Sequence, residues 1–77
     1  MNGPFKRDTY NIATASQQKT ALINQVSEHI NILLDAIAID SQQTDIQQLA
    51  ALEHYRVALM RIDPNTAPEI DWPELPQ

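Results

Sequence analysis

Large aliphatic residues recur along the middle of this chain at helical spacing. Ile23, Val26, Ile30, Leu33 and Ile37 follow one another at intervals of three, four, three and four. That places five branched side chains on one seam, the pattern of a helix packed along another helix. Thr14 or Ser16 can serve as its N-cap, so the first helix is expected over about 15–40. Its second half is apolar beyond the seam, because Ile32, Leu34, Ala36, Ala38 and Ile39 point to other faces. A single helix neighbour leaves some of them wet. Cover has to come from the C-terminal tail, a second copy or a different protein.

A second run follows the polar stretch Asp40-Ser41-Gln42-Gln43. Leu52, Tyr55, Leu59 and Ile62 repeat at three, four and three, with Ile46 and Leu49 feeding in ahead of them. Thr44 and Gln47 have capping-box spacing, and Asp45 adds negative charge where the helix dipole favours it. A second helix is expected over about 45–62, ended at Asp63 because Pro64 disfavours α conformation before it. So short a connection makes the helices antiparallel, an αα-hairpin.

Prolines at 64, 68, 73 and 76 mark an extended or turn-rich tail. Ile70 and Trp72, two apart, project the same way in extended backbone, with Glu69 and Asp71 facing outward. Burial of that apolar pair calls for the tail to fold back onto the helices. Residues 1–13 hold the only glycine and no sustained periodicity, the composition of a loose arm from which Phe5 and Tyr10 could dock. The expected organisation is an arm over 1–13, a hairpin over 14–63 and a tail over 64–77. The fold class is all-α: an antiparallel two-helix hairpin with an extended proline-rich tail packing back. Two such hairpins would make a four-helix bundle that covers the surplus aliphatics.

Composition narrows the function classes. Seventy-seven residues without cysteine exclude disulfides and thiolate metal sites. A core of this size supplies roughly 3–5 kcal/mol, so self-association or a partner is the available support. The net charge of −5 and the scattered Lys6, Arg7, Lys19, Arg56 and Arg61 provide no positive face for nucleic acid. Neither a signal-peptide run nor a stretch of the roughly 20 apolar residues that cross a bilayer is present. A soluble, cytoplasmic protein is expected.

Candidate chemistry is thin. His29 and His54 reach similar heights on the two helices, but at g-type and c-type positions they diverge, whereas zinc needs three or four converging ligands. There is no glycine-flanked serine and no glycine-rich phosphate loop. No enzyme activity and no cofactor are expected. Tyr55, at a d-type position, buries its ring while its hydroxyl seeks a polar partner. Arg56 beside it either pairs with a carboxylate such as Glu69 or Asp71, fixing the tail, or stays solvated.

The string YRVALMRIDPNTAPEIDWPELP resembles the C-terminal signature of bacteriophage tail-fibre assembly proteins. Tyr55, Arg56, Leu59, Ile62, Asp63, Ala67, Pro68, Ile70, Trp72, Pro73 and Pro76 stand at the matching positions. Upstream, Lys19, Leu22, Ile23, Ile30, Leu33, Asp35, Ala36 and Ile37 match the family's helical segment. Leu52 stands where the family usually has tryptophan, which reduces one aromatic contact. The family carries a longer front region associated with engaging the fibre, so this chain resembles its C-terminal domain alone: a short paralogue, a prophage remnant or a truncated form. The resemblance implies a chaperone that helps the distal end of a trimeric fibre fold, in the bacterial cytoplasm or bound at the fibre tip. The fibre protein is the implied partner, and no cofactor is implied. Partner-binding or tail-docking residues are then Ile32, Leu34, Ile39, Tyr55, Arg56, Leu59, Ile70, Trp72 and Pro73. The alternatives are a self-associating helical module without chaperone duty, homodimeric in the bundle form, and an adaptor for an unrelated host protein.

Overall fold

The computed structural model describes the backbone of residues 4–76 and the side chains of residues 11–76. Within them the chain forms two α-helices, α1 (Pro4–Ile39) and α2 (Gln43–Met60), and a 3₁₀ turn (Pro64–Thr66). No strand occurs among the described residues. The helices lie antiparallel, in an all-helical hairpin whose register two side-chain contacts define. Lys19 reaches the carbonyls of Met60 and Ile62, and Arg56 reaches Ser27.

α1 begins at Pro4, well before the Thr14 or Ser16 cap expected from the pattern. Proline is favoured in a first helical turn, where its missing N–H loses no bond. From Phe5 to Ile39 neither glycine nor proline interrupts propagation. The arm expected over 1–13 is therefore helical in backbone from residue 4. Its first three residues, and any docking by the side chains of Phe5 and Tyr10, lie outside the described residues.

The break between the helices is tight and uses no left-handed residue. The Asp40 amide closes the last turn on Ala36 at 2.9 Å, and Ser41 Oγ donates to the Ile37 carbonyl at 3.1 Å. Gln42 turns to extended backbone, and its side chain donates to Asp40 Oδ2 at 2.8 Å. Such local side-chain bonds compete with continued helix. Gln42, not Thr44, is thus the N-cap residue, and no side chain caps α2. The capping box read at Thr44 and Gln47 is not formed, because the turn closes early enough to place both inside the helix. Asp45 does lie in the first turn.

The core runs along the helix seam. Val26, Ile30, Leu52, Tyr55 and Leu59 are buried, with Leu22, Ile23, Leu33, Leu49 and Trp72 packed around them. Leu59, at 0% exposure, is the centre. Ile46, which the spacing predicts to feed into the seam, is 40% exposed beside the turn.

Lengths explain the remaining packing. At about 1.5 Å per residue α1 spans about 54 Å and α2 about 27 Å, so α2 covers roughly half of α1. The rest of α1 faces the tail. Asp63, extended, accepts the Asn65 amide on its carboxylate at 3.0 Å and starts the 3₁₀ turn. The tail therefore opens as a turn and not as extended chain. After the cis Ala67–Pro68 bond it carries no regular structure. Ala67, Pro68, Ile70 and Trp72 lie against Asn11, Thr14, Ala15 and Gln18 of α1. The chain then returns, bringing Leu75 beside Leu22, Val26 and Tyr55. The molecule is a rod of 59 × 16 × 16 Å.

Candidate partner-binding surface

The nine residues singled out by sequence divide between two places. Tyr55, Leu59 and Trp72 come together in the core cluster, so the first two are not available to a partner. Ile70, Trp72 and Pro73 are half-buried, while Glu69 and Asp71 are exposed. Ile70 and Trp72 line one shallow depression on α1 together with Ala15. Ala15 itself is 6% exposed.

Arg56 has a different partner from the carboxylate expected. Its Nη1 donates to Ser27 Oγ at 3.3 Å, across the helix interface. At mid-helix on α2 the guanidinium faces α1, and Ser27 is the polar group opposite. Among the described residues no buried side-chain nitrogen or oxygen lacks a partner.

Lys19 is a structural cation that the hydrophobic pattern does not single out. Its Nζ donates to the Ile62 carbonyl at 2.8 Å and to the Met60 carbonyl at 3.1 Å. The last carbonyls of a helix lack intrahelical partners and carry the negative end of its dipole. α2 has no basic residue in its own last turn, so α1 supplies the charge. The absence of a basic residue in that last turn is legible in the sequence, but the partner that replaces it is set by the hairpin register.

Ile32, Leu34 and Ile39 occupy the turn half of α1 and are wet, at 64%, 47% and 87% exposure. α2 contacts only one side of α1 there, and the tail packs at the far end. Ile32 and Ile39, seven residues apart, share a face. Leu34 falls on the other flank of the interface. Ile32 also lines an open groove of about 300 Å³ with His29, Leu33, Gln48 and Leu52. His29 lines both this groove and a second, smaller one beside Leu75. A tail residue, Leu75, lines only the second of these, and the groove toward the turn is open. Further exposed apolar side chains, Val57 and Met60, lie on the outer face of α2. His54 lines a separate groove there with Glu53, Val57, Ala58 and Arg61.

Among the described residues no group of three or more His, Cys, Asp or Glu could hold a metal. No described helix is long and apolar enough to cross a membrane. The described surface presents exposed apolar side chains and carboxylates.

Residues 4–77 match the family model described as "Caudovirales tail fibre assembly protein, lambda gpK". The chain is 40% identical over 67 residues to a "Probable tail fiber assembly protein" of Acyrthosiphon pisum secondary endosymbiont phage 1, covering 86% of this chain and 43% of that protein. It is 38% identical over 68 residues to the "Tail fiber assembly protein" of Escherichia phage lambda, covering 87% and 35%. Against the "Prophage tail fiber assembly protein homolog TfaR" of Escherichia coli K12 it is 40% identical over 68 residues, covering 87% and 36%. The chain thus spans less than half the length of these relatives. No solved structure matches it.

Proposed function

Because this chain belongs to the tail fibre assembly protein family of the Caudovirales, we propose that it assists assembly of a phage or prophage tail fibre through protein–protein contacts, not catalysis. The match across residues 4–77, which takes in both helices and the tail, carries the reading. The tail-fibre protein is the proposed partner, met in the bacterial host and at the distal end of the fibre. In this reading the chain acts as a chaperone. Exposed aliphatics on the turn half of α1, Ile32 and Ile39 foremost, cover apolar surface at an unfinished fibre end until trimer contacts replace them. The tail packed against α1 covers the other end of the rod. No cofactor enters this mechanism.

A second reading has an observation in its favour. Ile32, Ile39 and Ile46 leave apolar surface near the turn, and a second copy packed there would cover it as a four-helix bundle. The chain would then be a self-associating module, with or without chaperone duty.

Co-expression with the tail-fibre protein of its own phage or prophage, followed by pull-down, tests the proposal. Wild type is expected to capture the fibre protein and raise the yield of soluble trimer. Ile32→Asp should lose capture while keeping the helical circular dichroism of wild type, and Trp72→Ala should retain it if it folds. Absence of capture by folded wild type overturns the fibre reading. A stable dimer without capture replaces it with the self-associating module.

A further inference from the structure

Charge is distributed unevenly along the rod. Residues 20–55 contain Glu28, Asp35, Asp40, Asp45 and Glu53 and no lysine or arginine. The whole net charge of −5 therefore sits on the turn half, and the remaining acids and bases balance. The exposed aliphatics lie in this same half. On α1 the two features are interleaved: Glu28, Ile32, Asp35 and Ile39 follow at steps of four, three and four, and all four are exposed. These steps make one stripe along a helix face. The stripe lies on the side of α1 turned away from α2, and of its four residues Ile32 also lines the open groove.

We infer that this stripe forms a docking surface for a basic amphipathic helix, with apolar side chains on Ile32 and Ile39 and lysines or arginines on Glu28 and Asp35. Two physical features select this occupant. Ile32 and Ile39 are separated by about 10.5 Å along the axis. That matches the i, i+7 spacing of a facing helix, and it falls between the roughly 6.8 and 13.6 Å repeats of same-face residues on a strand. Charge selects the second property. A second copy on this face would set one acidic half against another with no lysine or arginine on either side, and like charges in close contact are costly. Anionic lipid and nucleic acid are disfavoured for the same reason. A basic helix gains both terms.

The inference goes beyond the fibre reading, since the occupant is specified by chemistry whatever protein carries it. The peptide titration below can succeed or fail independently of fibre capture. The probe is a synthetic peptide of roughly 18 residues, about five helical turns, with leucines on one face and lysines elsewhere. Its control carries glutamate in place of lysine. Titration into the full chain is followed by calorimetry. The lysine peptide is expected to bind, more weakly as salt rises, and the glutamate peptide not to bind. Ile32→Ala with Ile39→Ala should weaken binding about tenfold, as loss of two apolar contacts requires. Glu28→Gln with Asp35→Asn should weaken it while removing most of the salt dependence. Glu69→Gln with Asp71→Asn, on the tail, should leave it unchanged. Equal losses from the stripe and tail carboxylate pairs would reduce the binding to net charge and overturn the site. So would indifference to the two isoleucine substitutions. Sedimentation of the free chain as a dimer that the isoleucine substitutions dissolve would assign the face to a second copy.

Discussion

At the scale of single residues, Leu59 and Lys19 carry the most structural weight for different reasons. Leu59 is fully buried where both helices and the neighbourhood of Trp72 meet. Truncating such a side chain removes its transfer energy and leaves a cavity, at about 2–5 kcal/mol. A chain of this size has roughly 3–5 kcal/mol in total. Leu59→Ala is therefore expected to be largely unfolded at 25 °C, read by loss of the helical circular dichroism signal. Val57→Ala, on the exposed outer face two residues away, should change stability by less than about 0.5 kcal/mol. Lys19 acts through its ammonium on the two carbonyls at the end of α2. Lys19→Met keeps most of the apolar stem and removes the charge. It should lower stability by about 1 kcal/mol, seen as an earlier urea midpoint with an unchanged slope. An unchanged midpoint would show that water serves those carbonyls equally well.

At the scale of elements, the tail takes the place of a third helix. α1 is twice as long as α2, and the stretch beyond the end of α2 is contacted by Ala67, Pro68, Ile70 and Trp72. Ala15, 6% exposed, lines the same depression as these tail residues. Ala15→Glu places a charge and extra volume under the indole without touching the seam between the helices. Trp72 emission should then move to longer wavelength as the ring becomes wet, while helical content stays near that of wild type. An unshifted spectrum would mean that the tail is held by other contacts, Leu75 against Leu22 and Tyr55 being the nearest alternative.

At the scale of the whole molecule, shape and surface are those of a protein with unfinished packing. A compact chain of this length has a radius of gyration of about 11.5 Å, and this one has 16.3 Å. A monomer of 8.7 kDa is expected to expose about 4,700 Å², against 5889 Å² for this rod. Part of that excess is the geometry of a thin rod, and part is the turn-end isoleucines. Small-angle scattering of the free chain should give a radius near that of the rod if it is monomeric. A lateral dimer would double the mass with little change in length. Addition of a binding partner should protect the amides of α2 and the middle of α1 from hydrogen exchange more than those of the N-terminal end.

The order of elements was legible in the residues alone. The three-four spacing of Ile23, Val26, Ile30, Leu33 and Ile37 needs no tertiary information, because only helix puts such positions on one side. The family signature around Tyr55-Arg56 and Trp72-Pro73 was equally local. That surplus aliphatics would stay wet followed from counting faces, since one neighbour cannot cover two sides of a helix. What the residues could not settle was every feature that depends on register and relative length. The cap at Gln42, the Ser27 partner of Arg56 and the grip of Lys19 on α2 each join groups far apart in sequence or reflect where the turn closes. Local propensities at those sites differ by a few tenths of a kcal/mol, less than the packing of one leucine, so tertiary contact decided them. The charge of the turn half was readable as a count, but its interleaving with exposed isoleucines became a surface only once the hairpin established which faces remained open.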